Sequence, residues 1–418
     1  MKQPSSSTQS GTTTRVASVD ALRGLTILVM IFVNDLAGVQ NVPAWMKHVQ
    51  PPDADGMTFV DVVFPAFLFI VGMSIPFALG RRLERGESLG RIWLHVLTRT
   101  LGLLIIGVFM VNEEEMSDGG MLSKPVWTLL MYFGVMLIWG TLPGVSRTRI
   151  LSLGVQAIGL ALLAVLAILY RGKGEVGLIE MRPHWWGIVG LIGWAYLVAC
   201  TVYLWLRNNL AGIVGAIALL YCVYIANAVG AFSRLTWITD WVDIGAALGS
   251  HSAITVSGIV LGMIMTPASG LPTPGRRLRW ALLFGLGLAA AAWLLHSAHD
   301  IHRMFIINKI FATPAWCLWS SAITTWVWMA LYWLLDVRRW QGWAALLESA
   351  GQNALVAYIL APILYAVFEL LALALHQPNY FDELGHSFAM GFWRSIVFAF
   401  VVTWLAGQLR RAGVLLRL

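Results

Sequence analysis

The sequence predicts an all-α polytopic membrane protein, a bundle of about 10–12 transmembrane helices. Three observations carry that prediction. Of 418 residues, 58% are hydrophobic and only 12% charged, more apolar surface than a soluble domain can bury. The apolar runs are long and continuous rather than alternating, which excludes a β-barrel. Lys and Arg, finally, collect in every second connection between those runs.

Taken in order, runs long enough to cross a bilayer lie at approximately 19–37, 58–79, 92–111, 125–142, 150–170, 185–206, 209–229, 250–266, 279–296, 312–335, 350–375 and 391–409. The sixth and seventh are separated only by residues around Arg207, Asn208 and Asn209, which predicts a tight hairpin. The stretch 232–249 has room for a short interfacial helix. RRLERGESLGR, SRTR, LRNN, PGRRLR, DVRRW and the final RRAGVLLR fall on one side. KHVQPPDAD, NEEEMSDGG, HSAHDIHR and QPNYFDELGH fall on the other, so the positive-inside rule places the N- and C-termini in the cytoplasm.

Residues 1–14 are polar and of low complexity, with no apolar core before a cleavage site, and read as a disordered cytoplasmic tail. Residues 15–418 read as a single transmembrane domain without a convincing internal repeat, which weakens a transporter built from inverted halves. The net charge of +7 is topogenic Lys and Arg rather than a nucleic-acid footprint. Cys200, Cys222 and Cys317 sit in apolar stretches and form no CxxC, so neither a disulfide framework nor a zinc site is implied. Gly-rich faces such as GLGLAAAAW suit packing within a monomer or across a homodimer.

Polar groups near hydrocarbon are costly, so those retained there point to function. On the first helix, Arg23 and Asn34 lie about 20° apart around the axis and about 16 Å apart along it, with Asp20 within about 60° of Arg23. Asp20 and Arg23 can pair at i, i+3, while Asn34 is read as a buried amide in need of partners. Asp61 enters the first turn of the second helix, where the dipole favours a carboxylate and Thr58 can act as cap. His48, just upstream, is the side chain best matched to proton transfer near neutral pH, and Asp53, Asp55 and Asp61 are candidates to orient its ring. His296, His299 and His302 stand at i, i+3, i+6, which does not bring three ligands onto one helical face, so no metal is expected. Glu113, Glu114 and Glu115 read as a solvated loop.

The runs RVASVDALRGLTILVMIFVND and WMKHVQPPDADGMTFVDVVFPAFLFIVGMSI resemble the N-terminal signature of the heparan-alpha-glucosaminide N-acetyltransferase family. FIINKIFATPAWCLWSSAITTWVWMALYWLLDV and GQNALVAY are similar to two later family segments, in the same order. The resemblance implies a transmembrane acyltransferase that takes an acetyl group from cytoplasmic acetyl-CoA, as co-substrate, and delivers it to an extracytoplasmic amino sugar or glycan. It implies that His48 is the catalytic histidine and Asn34 the active-site asparagine. Asn308, Lys309, Asn353 and Tyr358 occupy the other motif positions, expected to bind acyl donor or substrate. The path from His48 to the G-(L/M)-T-x-x-D step is longer than in the family, because VQPPDAD intervenes.

Residues and resemblance together predict an acyltransferase with Asn34 stabilising an oxyanion, and with Arg23 and the basic ends holding CoA phosphates. His48 then serves as general base, or is itself acetylated first. A multi-pass transporter or glycan-lipid flippase without acyl transfer is the alternative. The predicted surroundings are membrane lipids, and a chain lacking a lumenal domain favours a bacterial inner membrane.

Overall fold

The structure, a computed structural model, describes residues 16–117, 120–141, 149–173, 180–185, 187–416 and 418. The predicted tail, 1–14, lies outside the described residues. Twelve long helices run through the described chain: α1 (Ala17–Leu36), α2 (Val60–Glu84), α3 (Leu89–Glu114), α4 (Lys124–Trp139), α5 (Arg149–Leu169) and α6 (Ile188–Leu206). They continue with α7 (Leu210–Ala228), α8 (Ile244–Ile264), α9 (Pro274–His296), α10 (Pro314–Tyr332), α11 (Ala354–Leu375) and α12 (Phe388–Arg411). Each overlaps one of the twelve predicted runs. Ten are at least 18 residues long and apolar enough to span a bilayer; α4 is shorter, and α10, at 19 residues, is long enough but less apolar. Exposed Trp205, Trp293, Trp393 and Trp404 stud the outside, with exposed Leu along α3, α5 and α9, an apolar perimeter of the kind a membrane span presents. The protein is a multi-pass integral membrane protein.

The helix ends explain themselves locally. Asn209 caps α7 by accepting the Gly212 N–H (2.9 Å), and Arg207 takes a positive φ of 44°, which together close the predicted α6–α7 hairpin. The segment 232–249 holds a short helix, Thr236–Thr239, and then the π-helical turn Ile244–Ser250 that opens α8. α8 is buried along nearly its whole length and packs face to face with α2. A side chain at Gly258 would strike the Phe69 carbonyl, and one at Gly72 would strike the Thr255 carbonyl, so the two backbones touch.

Connections alternate between two faces, as the charge pattern predicts. On the amino-terminal face, Asp336 after α10 accepts the N–H groups of Ala17 (3.2 Å) and Ser18 (3.0 Å), capping α1. Gly140–Thr141 after α4 pairs antiparallel with Leu415–Leu416 there. On the opposite face, the α1–α2 loop meets the α9–α10 loop through Asn308 and Asp55, and the α11–α12 loop through Gln40 N–H to the Gly385 carbonyl (2.9 Å). Near this face Asp35 is buried under Arg394 (3.0 Å), Ser395 (2.6 Å) and Tyr365 (2.9 Å), a fully bonded ion pair that ties α1 to α11 and α12. Glu113 belongs to the last turn of α3 rather than to a solvated loop: its carboxylate takes the Thr128 hydroxyl (3.1 Å) and lies 3.5 Å from Lys124.

Candidate active site

Asp61 organises the opposite-face end of α2. Only 2% exposed, it accepts the Thr58 N–H (3.0 Å) and Val49 N–H (3.3 Å) on Oδ2, and turns Oδ1 to His48 Nδ1 at 2.6 Å. The Thr58 hydroxyl donates to the Lys47 carbonyl (2.7 Å) and accepts the Val60 N–H (3.2 Å), so the cap that starts α2 also fixes the residue before His48. Trp316 on α10 donates its indole N–H to the Asp61 carbonyl (3.2 Å). Because a carboxylate only accepts, this arrangement sets the proton on Nδ1 and leaves Nε2 as the ring's acceptor. The ring itself is half-exposed.

Lys309 supplies the third member. Its Nζ lies 3.1 Å from His48 Nε2 and 3.3 Å from Nδ1. Burial pushes its pKa below the ordinary lysine range, against the pull of the Asp61 carboxylate. Asn308 beside it is 3% exposed and spends its amide N–H groups on the Pro52 (2.8 Å) and Ala54 (2.9 Å) carbonyls, with Oδ1 accepting the Phe311 N–H (2.9 Å). Asn308 therefore fastens the His48 loop to the Lys309 loop.

Two cavities open towards opposite faces, and the outer one is lined by Lys309. The first, about 540 Å³, opens towards the amino-terminal face between Arg23, Ser74, His95, Arg99, Asn353 and Tyr358. Arg23 holds the Ser74 hydroxyl (2.6 Å), the Gly351 carbonyl (3.2 Å) and Asp20 (3.3 Å). Arg99, about 15 Å along α3, lies over the Tyr196 ring at 4.9 Å, and its sealed Nε has no hydrogen-bond partner among the described residues. The second, about 470 Å³, reaches in from the opposite face past Lys309, His184, Trp185 and His251. Both are lined by Ile188.

Several expected residues fall elsewhere. Asn34 is exposed and makes no hydrogen bond among the described residues; the buried polar side chain at this end of α1 is its neighbour Asp35, 100° further round the helix and facing α12. Asp53 is exposed and Asp55 is drawn to His296 Nε2 (2.8 Å) and the Ile307 N–H (2.8 Å), so Asp61 alone orients His48. Asn353 lines the first cavity, but its amide is held by the Ala406 and Val414 carbonyls (both 3.2 Å). His299 pairs with Asp300, and no group of three metal-ligating side chains assembles among the described residues. His95, Arg99 and His251 were not singled out from sequence. Their signal is polarity inside apolar runs, as in GSHSAITVSG, where a lone histidine reads as an ordinary core residue.

Comparison with known proteins adds a second line. The chain is similar to heparan-alpha-glucosaminide N-acetyltransferase of Homo sapiens, with 36% identity over 112 residues, which is 27% of this chain and 16% of that protein. The Mus musculus protein of the same name shows 35% identity over 107 residues, 26% of this chain and 15% of its own length. The match thus spans under a fifth of these relatives' length. Residues 15–243 match the family model described as a domain of unknown function, DUF5009, which takes in more than half of the 418 residues. The chain belongs to the DUF5009 family.

Proposed function

We propose that this protein is a transmembrane acyltransferase that moves an acetyl group from acetyl-CoA at the amino-terminal, cytoplasmic face to an amine or hydroxyl of an amino sugar or glycan at the opposite face. One observation carries the reading: two cavities, one towards each face, share Ile188 as a wall, and the outer one is lined by Lys309, which lies 3.1 Å from His48 Nε2. The curated relatives, named as N-acetyltransferases, support it. A long pantetheine arm bearing a thioester suits a cavity lined mostly by apolar side chains, with Arg23, Ser74, His95 and Arg99 among them. Arg23 and Arg99, both lining the inner cavity, offer charge to CoA phosphates.

The chemistry follows from the ring's tautomer. With Nδ1–H held by Asp61, Nε2 takes the proton as the acceptor amine adds to the thioester carbonyl carbon. The C–S bond then breaks, and the proton passes from His48 to the departing sulfur, leaving an acetamide and free CoA thiol. Lys309 withdraws from Nε2 as the acceptor takes its place. Transfer by way of an acetylated His48 uses the same nitrogen in two steps. Asp20 keeps Arg23 in place, while Tyr358 and Asn353 wall the donor path.

The test is transfer of labelled acetyl from acetyl-CoA in membranes containing the protein. His48→Ala should reduce turnover about 10²–10⁴-fold. Near-wild-type turnover in His48→Ala would end the assignment. A solute transporter would yield no labelled product at all.

A further inference from the structure

A groove separate from both cavities runs between α1, α2 and α10, with a volume of about 390 Å³. Its walls are Leu25, Val29, Val62, Ala66, Ile323 and Val327, and no charged side chain lines it. Phe59 and Val327, 39% and 37% exposed, put it on the outside of the bundle, where a membrane span meets lipid. Its three threonines have already spent their hydroxyls on backbone. Thr26 donates to the Leu22 carbonyl (2.9 Å), Thr324 to the Ser320 carbonyl (2.7 Å) and Thr58 to the Lys47 carbonyl (2.7 Å). What remains for a ligand is carbon, so the groove suits a hydrocarbon chain and offers little to a sugar or a nucleotide.

Depth and mouth identify the chain. From Leu36, at the opposite-face end of α1, down to Leu25 is about 16 Å, close to the hydrocarbon depth of one leaflet. At the mouth, Thr58 Oγ1 lies 3.3 Å from the Asp61 carboxylate, which in turn holds His48 Nδ1 at 2.6 Å. Phe59 packs beside Trp45 (6.0 Å between centroids), and Trp45, 64% exposed three positions before His48, is an aromatic of the kind that settles at headgroup level. We infer that this groove seats the hydrocarbon chain of a lipid-anchored acceptor drawn from the leaflet at the opposite face, which brings the headgroup to the half-exposed His48 ring. The headgroup's amine or hydroxyl then arrives uncommitted and at a fixed depth, because the chain alone is gripped. The inference rests on the transferase reading for the fate of the headgroup, but not for the seating of the chain.

The experiment compares glucosamine with dodecyl glucosaminide, the same head on a saturated chain, using the full protein in nanodiscs. Without CoA, the alkyl probe carries a photoreactive diazirine on its chain, and labelled peptides are mapped by mass spectrometry. Labels should concentrate in 57–66 and 323–327. Val62→Trp and Val327→Trp, which fill the groove from positions that are not buried, should cut that labelling about tenfold. A nanodisc phospholipid bearing the same diazirine should show no such concentration. Unlabelled groove peptides, or equal labelling by the phospholipid, would reduce the groove to ordinary lipid contact and overturn the inference even if glucosamine is acetylated. With labelled acetyl-CoA added, KM for dodecyl glucosaminide should lie about 10²-fold below that for glucosamine. Both Trp variants should lose most of that advantage and keep the wild-type KM for glucosamine. An advantage that persists in both variants would trace it to partition into the bilayer and sink the idea. If neither acceptor is acetylated while the labelling pattern holds, the transferase reading fails and the chain site stands.

Discussion

His48 is held by one carboxylate and faced by one amine, and the amine is the less ordinary of the two. Lys309 is drawn out of water, so its neutral form is reached at lower pH than for a free lysine. Acylation of the purified protein by a small amine-specific reagent, followed at Lys309 by mass spectrometry across pH, should give a reactivity midpoint below that of a model lysine amide. The midpoint, not the rate, is the readout, because burial slows access at every pH. A midpoint at or above the model compound's contradicts this environment. The imidazole and Asp61 were legible in the sequence because they bracket a helix start, where caps and dipoles leave recognisable residues. Asn34 and Asp35 were not separable there: which of two adjacent polar residues turns inward is decided by Arg394 and Ser395, some 360 positions away in the chain.

Helix identity was legible almost throughout, since the length needed to cross hydrocarbon is imposed by the bilayer and leaves continuous apolar runs. The start of α8 was not. Residues 244–249 read as connection because Gly245 and Gly249 break the apolar run, yet both admit close neighbours, Asn227 and the Leu220 carbonyl, and the helix opens there in π form. The α2–α8 seam follows the same logic: Gly258 lets α8 touch the backbone of α2. Gly258→Leu should therefore cost at least the roughly 1–3 kcal/mol typical of overpacking, because the obstacle is backbone and cannot rotate away. Thermal unfolding in detergent checks it. An unchanged midpoint would mean that the helices are further apart than described.

At the scale of the molecule, the alternating faces and the two cavities make one arrangement. Basic side chains gather at one end, a buried carboxylate and its histidine sit at the other, and Ile188 lines both cavities. The charge asymmetry of the loops announced the two faces, but no sequence pattern announces a cavity, since its walls come from α1, α2, α3, α6 and α11 together. The most direct measurement uses sealed vesicles holding the protein in one orientation, with labelled acetyl-CoA supplied only at the amino-terminal face and glucosamine only at the opposite face. Acetylated sugar should accumulate on the glucosamine side, and His48→Ala should abolish it. Product that forms only when both substrates share one side would contradict transfer through the bundle.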